Sequence, residues 1–305
     1  RYSLLELCRT PDLATTVTLQ PVNRLEVDAA ILFSDLLLPL EPMGIRFDFI
    51  RGEGPQIENP IESGRDISRL KRFDPRAELG YVLDAIRLVK RELAGRVPLI
   101  GFAGAPFTLA SYLVEGGKSP NFAKTKKLMF GEPAVWRRLM EKLAEVTRRY
   151  LRAQIAAGAD AVQLFDSWVG DLAPADYAVH VQPHVRRVLA DVQTTGVPVI
   201  HFGTGTASLL EKMRDAGGTV IGVDFTTPLD DAWTRVGHDR AVQGNMDPCA
   251  LLTTREVAEQ HAQRVLDAAG GRPGHVFNLG HGILPETPVD NVRAVVDYVH
   301  RAGAG

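Results

Sequence analysis

The sequence has little that would staple, anchor or charge a protein. Its 305 residues include two cysteines, Cys8 and Cys249, far apart in the chain. A disulfide framework and a cysteine-rich zinc site are therefore excluded. With no secretory signal pattern, the expected compartment is the reducing cytoplasm. No stretch reaches the roughly 18 uninterrupted apolar residues of a membrane span. The richest, residues 29–40, is broken by Ser34, Asp35 and Pro39. Neither charge sign is in excess: 35 Lys and Arg against 37 Asp and Glu leave a net charge of −2. That balance argues against nucleic-acid binding through bulk positive charge. A Gly-Lys-Ser/Thr phosphate loop is missing. Gly203-Thr204-Gly205 is no dinucleotide fingerprint, because position 208 is serine and the acidic partner is absent. There is no low-complexity tract, linker or short repeat.

What is present is an ordinary globular composition, 45% apolar and 24% charged, on a chain long enough to bury a large core unaided. A pattern recurs along it. A short apolar run is followed by Gly, Asp, Ser or Pro and then by an amphipathic stretch. The runs are 28–33, 98–102, 160–165, 198–202, 219–223, 241–243 and 275–279. Each is short enough for a buried parallel strand. Helical periodicity falls on 75–93, 132–158, 174–196, 207–217 and 254–270, several ending in Gly where a helix C′ residue belongs. Alternating strand and helix predicts a parallel sheet covered by helices, as an open doubly wound sheet or a (β/α)₈ barrel. Seven strands are visible, and a first strand preceding Arg1 would complete a single-domain barrel. Residues 2–7 read as the middle of a helix. Alternation in Ile45–Phe49, a Gly-Pro-rich turn and a return through Gln56–Glu58 predict an inserted β-hairpin near 45–58.

In either architecture ligands bind where parallel strands end. Those ends are rich in glycine and acids and carry no Lys or Arg. Asp35 sits between Ile31-Leu32-Phe33 and Leu36-Leu37-Leu38, a costly setting for an unpaired charge. Two readings stay open, a carboxylate aimed into a pocket and an N-cap for the residues from Leu36 onward. Asp166 and Ser167 pose the same choice, with capping preferred. Asp247 before Pro248 reads as an N-cap, and Asp224 stays undecided. His281, accessible between two glycines, reads as functional. His201, with no cysteine nearby, reads as a core histidine. By spacing alone Tyr112 reads as core, and Lys124, Lys126 and Lys127 as a solvated helix face.

Taken together the strand-end motifs resemble one family. They are Phe33-Ser34-Asp35, Gly101-Phe102-Ala103-Gly104-Ala105-Pro106-Phe107-Thr108-Leu109, Tyr112-Leu113-Val114-Glu115-Gly116-Gly117, Phe165-Asp166-Ser167, Gln243-Gly244-Asn245-Met246-Asp247-Pro248 and Asn278-Leu279-Gly280-His281-Gly282. In this order, over nearly the whole chain, they are similar to uroporphyrinogen decarboxylases. The resemblance implies a (β/α)₈ barrel, a cytoplasmic homodimer, and removal of CO₂ from the four acetate side chains of uroporphyrinogen III and its partly decarboxylated intermediates. Coproporphyrinogen III is the product, and no cofactor or metal takes part. Carried over by position, Asp35 contacts the pyrrole NH groups at the centre of the macrocycle. Tyr112, Ser167 and His281 help bind the substrate and its carboxylates, and Phe102 and Phe165 line the cleft.

The chemistry suits these residues. A pyrrole acetate loses CO₂ once the neighbouring ring carbon is protonated, so the substrate is its own electron sink. The developing cation calls for a fixed anion in a dry site, which Asp35 could supply. The family also carries an Arg-Gln-Ala-Gly-Arg motif near its N-terminus, in a region preceding Arg1. Its arginines suit carboxylate binding, one is a candidate proton donor, and the natural protein is expected to have that segment. Asp166, where some relatives have Glu, keeps the charge. Two rivals are weighed against this reading. Zinc methyltransferases of the same superfamily need strand-end cysteines that this chain lacks, and a tetrapyrrole-binding protein would hold the macrocycle without releasing CO₂.

Overall fold

The computed structural model describes residues 2–50, 52 and 54–303. Its frame is a sheet of seven parallel strands in chain order: β1 (Ala30–Ile31), β4 (Leu99–Gly104), β5 (Ala161–Phe165), β6 (Val199–Phe202), β7 (Val220–Gly222), β8 (Ala241–Gln243) and β9 (His275–Val276). The two remaining strands, β2 (Phe47–Ile50) and β3 (Gly54–Ile57), form an antiparallel hairpin within the expected insertion. The sheet curls on itself. Gln243 of β8 donates to Gln163 of β5 at 3.2 Å, although two strands separate them in the sheet. This is the expected α/β barrel wall. Among the described residues β1 and β9 do not pair, and Ile31 and Val276 on those edges are 46% and 47% exposed. The helical layer nonetheless crosses this opening. Arg293 donates to the Arg24 carbonyl at 3.0 Å, and His300 meets Asp28 at 2.9 Å.

Strand alternation sorts the side chains into two layers. Val162 and Leu164 of β5 face the helices, whereas Gln163 and Phe165 face the interior; β6 divides Val199 and His201 from Ile200 and Phe202. The helices pack by the matching period of 3.6. In Pro133–Ala157, Trp136, Leu139, Met140, Leu143, Val146, Tyr150 and Leu151 form one buried stripe, and Gly158 ends the helix at φ 119°. Polar residues also belong to that buried face: Thr147 donates to the Gly104 carbonyl at 3.0 Å. Gln154 bonds both main-chain groups of Phe102, accepting from its N–H at 2.9 Å and donating to its carbonyl at 2.7 Å. A side chain at Gly101 would come within 2.4 Å of the Gln154 amide oxygen, so glycine is required there.

Three expectations are corrected. The chain from Tyr2 to Leu7 is a helix start, not a helix middle. Ser3 accepts from the Glu6 N–H and the Glu6 carboxylate accepts from the Ser3 N–H, a complete capping box before Leu4–Arg9. The stretch 75–93 divides into Pro75–Glu78 and Gly80–Leu93, because fully buried Leu79 leaves helical geometry and glycine follows it. The stretch 174–196 divides at Val181 into Pro174–His180 and Gln182–Gln193. Pro183, with no N–H to donate, begins the second helix rather than continuing the first.

Candidate active site

The strand ends place one phenylalanine after another on the inner wall. Phe33 follows β1, Phe102 lies in β4, and Phe165 and Phe202 end β5 and β6. Phe165 sits edge-on to Phe102, with ring centres 5.5 Å apart, and to Phe202 at 5.9 Å. This edge-to-face order is the preferred arrangement of aromatic quadrupoles. Beside it opens a cavity of about 380 Å³, lined by residues 31–36, Phe102, Phe165 and Val17, Thr18 and Pro21 of the helix Pro11–Leu25. Thr18 also fixes the wall, accepting from the Phe33 N–H at 2.8 Å.

Asp35 is the carboxylate of this cavity. Its two sequence readings merge. Oδ1 accepts from the Leu37 N–H at 2.8 Å and holds a turn, not the N-terminus of a regular helix, while the residue lines the pocket. Burial pushes its pKa up to about 6, against the opposing pull of that N–H. A carboxylate placed so charges near neutrality, and among the described residues the cavity wall holds no cation beside it.

Tyr112 projects from the helix Pro106–Glu115 close enough to feel Asp35. Burial first, and the Asp35 charge second, push its phenol up to about 12, so it stays protonated. The Trp168 ring lies edge-on to Tyr112 at 5.9 Å and against Phe122 at 5.5 Å. Ser167 precedes that tryptophan, and its carbonyl accepts from the Thr204 hydroxyl.

The structure therefore gathers Asp35, Tyr112, Phe102 and Phe165 at one site, with Ser167 on the adjoining strand end. His281 stands apart. It is exposed in the loop after β9, across the β1–β9 opening from Asp35. Its loop is anchored by the Gly280 N–H donating to the Met246 carbonyl at 2.8 Å. A Cβ at Gly280 would stand 2.2 Å from the Phe225 nitrogen, which accounts for the glycine before His281.

Capping at Asp166 is corrected. Among the described residues neither of its fully buried oxygens finds a hydrogen-bond partner, and Oδ2 stands 3.7 Å from His201 Nε2 in the layer behind the sheet. Burial raises the Asp166 pKa, with His201 opposing the shift. His201 is a core residue, as its sequence context suggested. Asp247 caps as expected, accepting from the Cys249 N–H at 2.9 Å. Asp224 resolves as a structural tie. Its carboxylate accepts from the N–H groups of Gly205, Thr206 and Thr226 and from the Thr226 hydroxyl. Among the described residues no three His, Cys, Asp or Glu side chains cluster as a metal cage.

Sequence reasoning passed over Phe33, Phe202 and Trp168. The signal for the first two was available, since four successive apolar runs carry an inward phenylalanine near their C-terminal ends. Trp168 lies in the turn that leads from β5 into the short helix Val169–Asp171.

A model of the family described as uroporphyrinogen decarboxylase (URO-D) matches residues 1–302. The chain belongs to the uroporphyrinogen decarboxylase family. The protein named uroporphyrinogen decarboxylase in Sorangium cellulosum is 65% identical over 300 residues, covering 98% of this chain and 86% of the relative. Its namesake in Thermus thermophilus is 52% identical, covering 100% and 88%. Among solved structures, a methyltransferase from Methanosarcina mazei superposes with a TM-score of 0.84 at 20% identity, covering 98% of this chain and 88% of that one. That likeness speaks to the shared barrel fold alone.

Proposed function

We propose that this chain is a uroporphyrinogen decarboxylase converting uroporphyrinogen III to coproporphyrinogen III, through loss of four CO₂ molecules and without a metal or organic cofactor. The observation that carries the reading is Asp35, a solitary carboxylate in an aromatic wall with no neighbouring cation among the described residues that line it. Each turnover protonates the ring carbon next to the one bearing the acetate and makes the ring cationic. The bond from the acetate CH₂ to its carboxylate then breaks. The electron pair flows into the ring, CO₂ leaves, and an exocyclic methylene remains. A proton added to that carbon gives the methyl group, and loss of the ring proton restores the pyrrole. The net change is one carboxylate and one proton exchanged for CO₂ and a C–H bond.

Asp35 acts here in two ways. It accepts hydrogen bonds from pyrrole N–H groups, and its charge stabilises the ring cation where water is scarce. Tyr112, Ser167 and His281 bind the substrate carboxylates, and Phe102 and Phe165 cover the macrocycle faces. The chain acts as one catalytic domain, as a homodimer in the cytoplasm. Among the described residues no helix is long and apolar enough to cross a membrane.

The test is anaerobic incubation with uroporphyrinogen III, separating products by carboxylate count. Appearance of the four-carboxylate product is expected. Binding of the macrocycle without CO₂ release would instead favour a carrier. Sedimentation at working concentration checks the dimer, and a monomer would remove it.

A further inference from the structure

The strand ends carry one more phenylalanine, and it is an exposed one. Phe225 follows Asp224, past the end of β7, where ligands of parallel barrels bind. It lies outside the Asp35 cavity, and β7 is four places along the curled sheet from β1. Phe225 is 41% exposed, and among the described residues it belongs to neither apolar cluster of the core. Core packing therefore gives no reason for a phenyl ring at this position.

The backbone on both sides of Phe225 is fixed. The Asn245 amide donates to the Asp224 carbonyl at 2.7 Å and to the Thr227 carbonyl at 2.6 Å. One NH₂ group thus spans the loop with both its hydrogens. This clamp takes main-chain oxygens, so it does not depend on the Asp224 carboxylate. The next residue, Met246, holds the loop of His281. Its N–H donates to the Asn278 carbonyl at 3.0 Å, and its carbonyl accepts from the Gly280 N–H at 2.8 Å. Gly280 in turn packs on the Phe225 backbone, where a Cβ would stand 2.7 Å from the Phe225 Cα. The segment Asn245-Met246 thus sets the backbones of Phe225 and His281 against each other. Ile283, two residues beyond His281, is 51% exposed. This part of the mouth carries an imidazole and two uncovered apolar side chains.

Single exposed apolar side chains are common on protein surfaces. Phe225 is set apart by its strand-end position and by the amide clamp beneath it. An aromatic ring on a loop already ordered by the fold suits a flat apolar partner, because little freedom is lost on binding. Under the proposed function the partner at this mouth is a pyrrole face of the macrocycle.

We propose that Phe225 is a substrate-binding residue that rests against a pyrrole face and retains partly decarboxylated intermediates between turnovers. The inference rests on the decarboxylase reading for the identity of the macrocycle.

Equilibrium dialysis under argon with coproporphyrinogen III tests binding apart from turnover, because that product has no acetate left to lose. Phe225→Ala should raise its Kd about tenfold, the scale of one aromatic face lost from a ligand contact. Phe225→Trp and Phe225→Tyr keep a ring and should stay within about twofold of the parent. The denaturant midpoint of Phe225→Ala should match that of the parent, as for other exposed positions. Val179→Ala is the control, at a residue 67% exposed on the helix Pro174–His180, and should leave Kd unchanged. A Phe225→Ala Kd within about twofold of the parent, or an equal loss in Val179→Ala, overturns the proposal. In uroporphyrinogen III turnover Phe225→Ala should release a larger share of partly decarboxylated intermediates, and an unchanged share overturns the retention role. A chain that binds coproporphyrinogen III but releases no CO₂ from uroporphyrinogen III would sink the decarboxylase reading alone, and the Kd ratio would still decide Phe225. A chain that binds neither macrocycle overturns both.

Discussion

Asp35 and Asp224 occupy matching places in the barrel wall. Each follows a parallel strand and each lies two positions beyond an inward-facing residue; Asp224 is buried and Asp35 partly so. Their surroundings part company at the next shell. Asp224 collects N–H groups from three residues and a hydroxyl, because the Gly203–Thr206 turn is folded down onto it. Asp35 has one N–H and a wall of phenylalanine and leucine. A carboxylate satisfied by several donors holds a loop. A carboxylate left short of donors is destabilised as an anion and has acceptor capacity for a visitor. Under the proposed function this difference assigns the β1 end the reactive part and the β7 end the scaffold.

The sharpest way to break that contrast is to remove each charge. Asp35→Ala should lower decarboxylation by about a thousandfold or more, the scale of losing a fixed charge-stabilising group, while circular dichroism reports an intact fold. Asp35→Glu should fall between the two. Equal rates for the Glu and Ala variants would refute a role for charge at that point. Asp224→Ala should do the reverse. Denaturant midpoints should report a loss of about 3 kcal/mol from stranded N–H groups, with turnover per folded molecule nearly unchanged.

The pH dependence sharpens the contrast. Asp35 has a pKa of about 6 in the fold against an ordinary value of 3.8. Between those values the native state binds more protons than the unfolded one, so stability falls as pH rises through this window, and the loss is complete above it. Asp35→Asn, which retains an acceptor for the Leu37 N–H, should therefore be more stable than the parent at pH 7, by about 1–3 kcal/mol. Near pH 4 the two melting curves should converge. A constant gap across that range would show that Asp35 does not titrate as described. On the catalytic side, kcat/KM should fall below about pH 6 as Asp35 gains its proton. The smallest effect belongs to His281. His281→Asn should leave stability within about 0.5 kcal/mol, as for other exposed positions. It should chiefly change which partly decarboxylated intermediates accumulate, and an unchanged product profile would remove it from the site.

Much of this was legible in the chain. The seven apolar runs match the seven barrel strands because each is short and contains a β-branched residue, and five of them are followed directly by Gly or Asp. The hairpin showed in its alternation. Alternation also decides the aspartates more than their local sequence does. Counting by twos from Ile31 and Phe33 brings Asp35 inward, and counting from Gln163 and Phe165 turns Asp166 toward the helices beside His201. Read without that count, Asp166 resembled a cap. Asp224 counts inward too, and no local pattern foretold that the Gly205 amide would claim it, since that contact joins two separate strand ends. The breaks at Leu79 and Val181 were hidden because the apolar period runs on through both.

The amide pair between Gln163 and Gln243 has a consequence for traffic. It bridges the barrel interior between β5 and β8. On the proposed reading, a macrocycle with four acetates meets the single carboxylate Asp35. It must turn at the mouth, or leave and return, to bring each acetate to the same carboxylate. Retention between turns would then govern how many half-finished molecules escape, and the grip of the rim on an outgoing ring becomes as consequential as the chemistry beneath it.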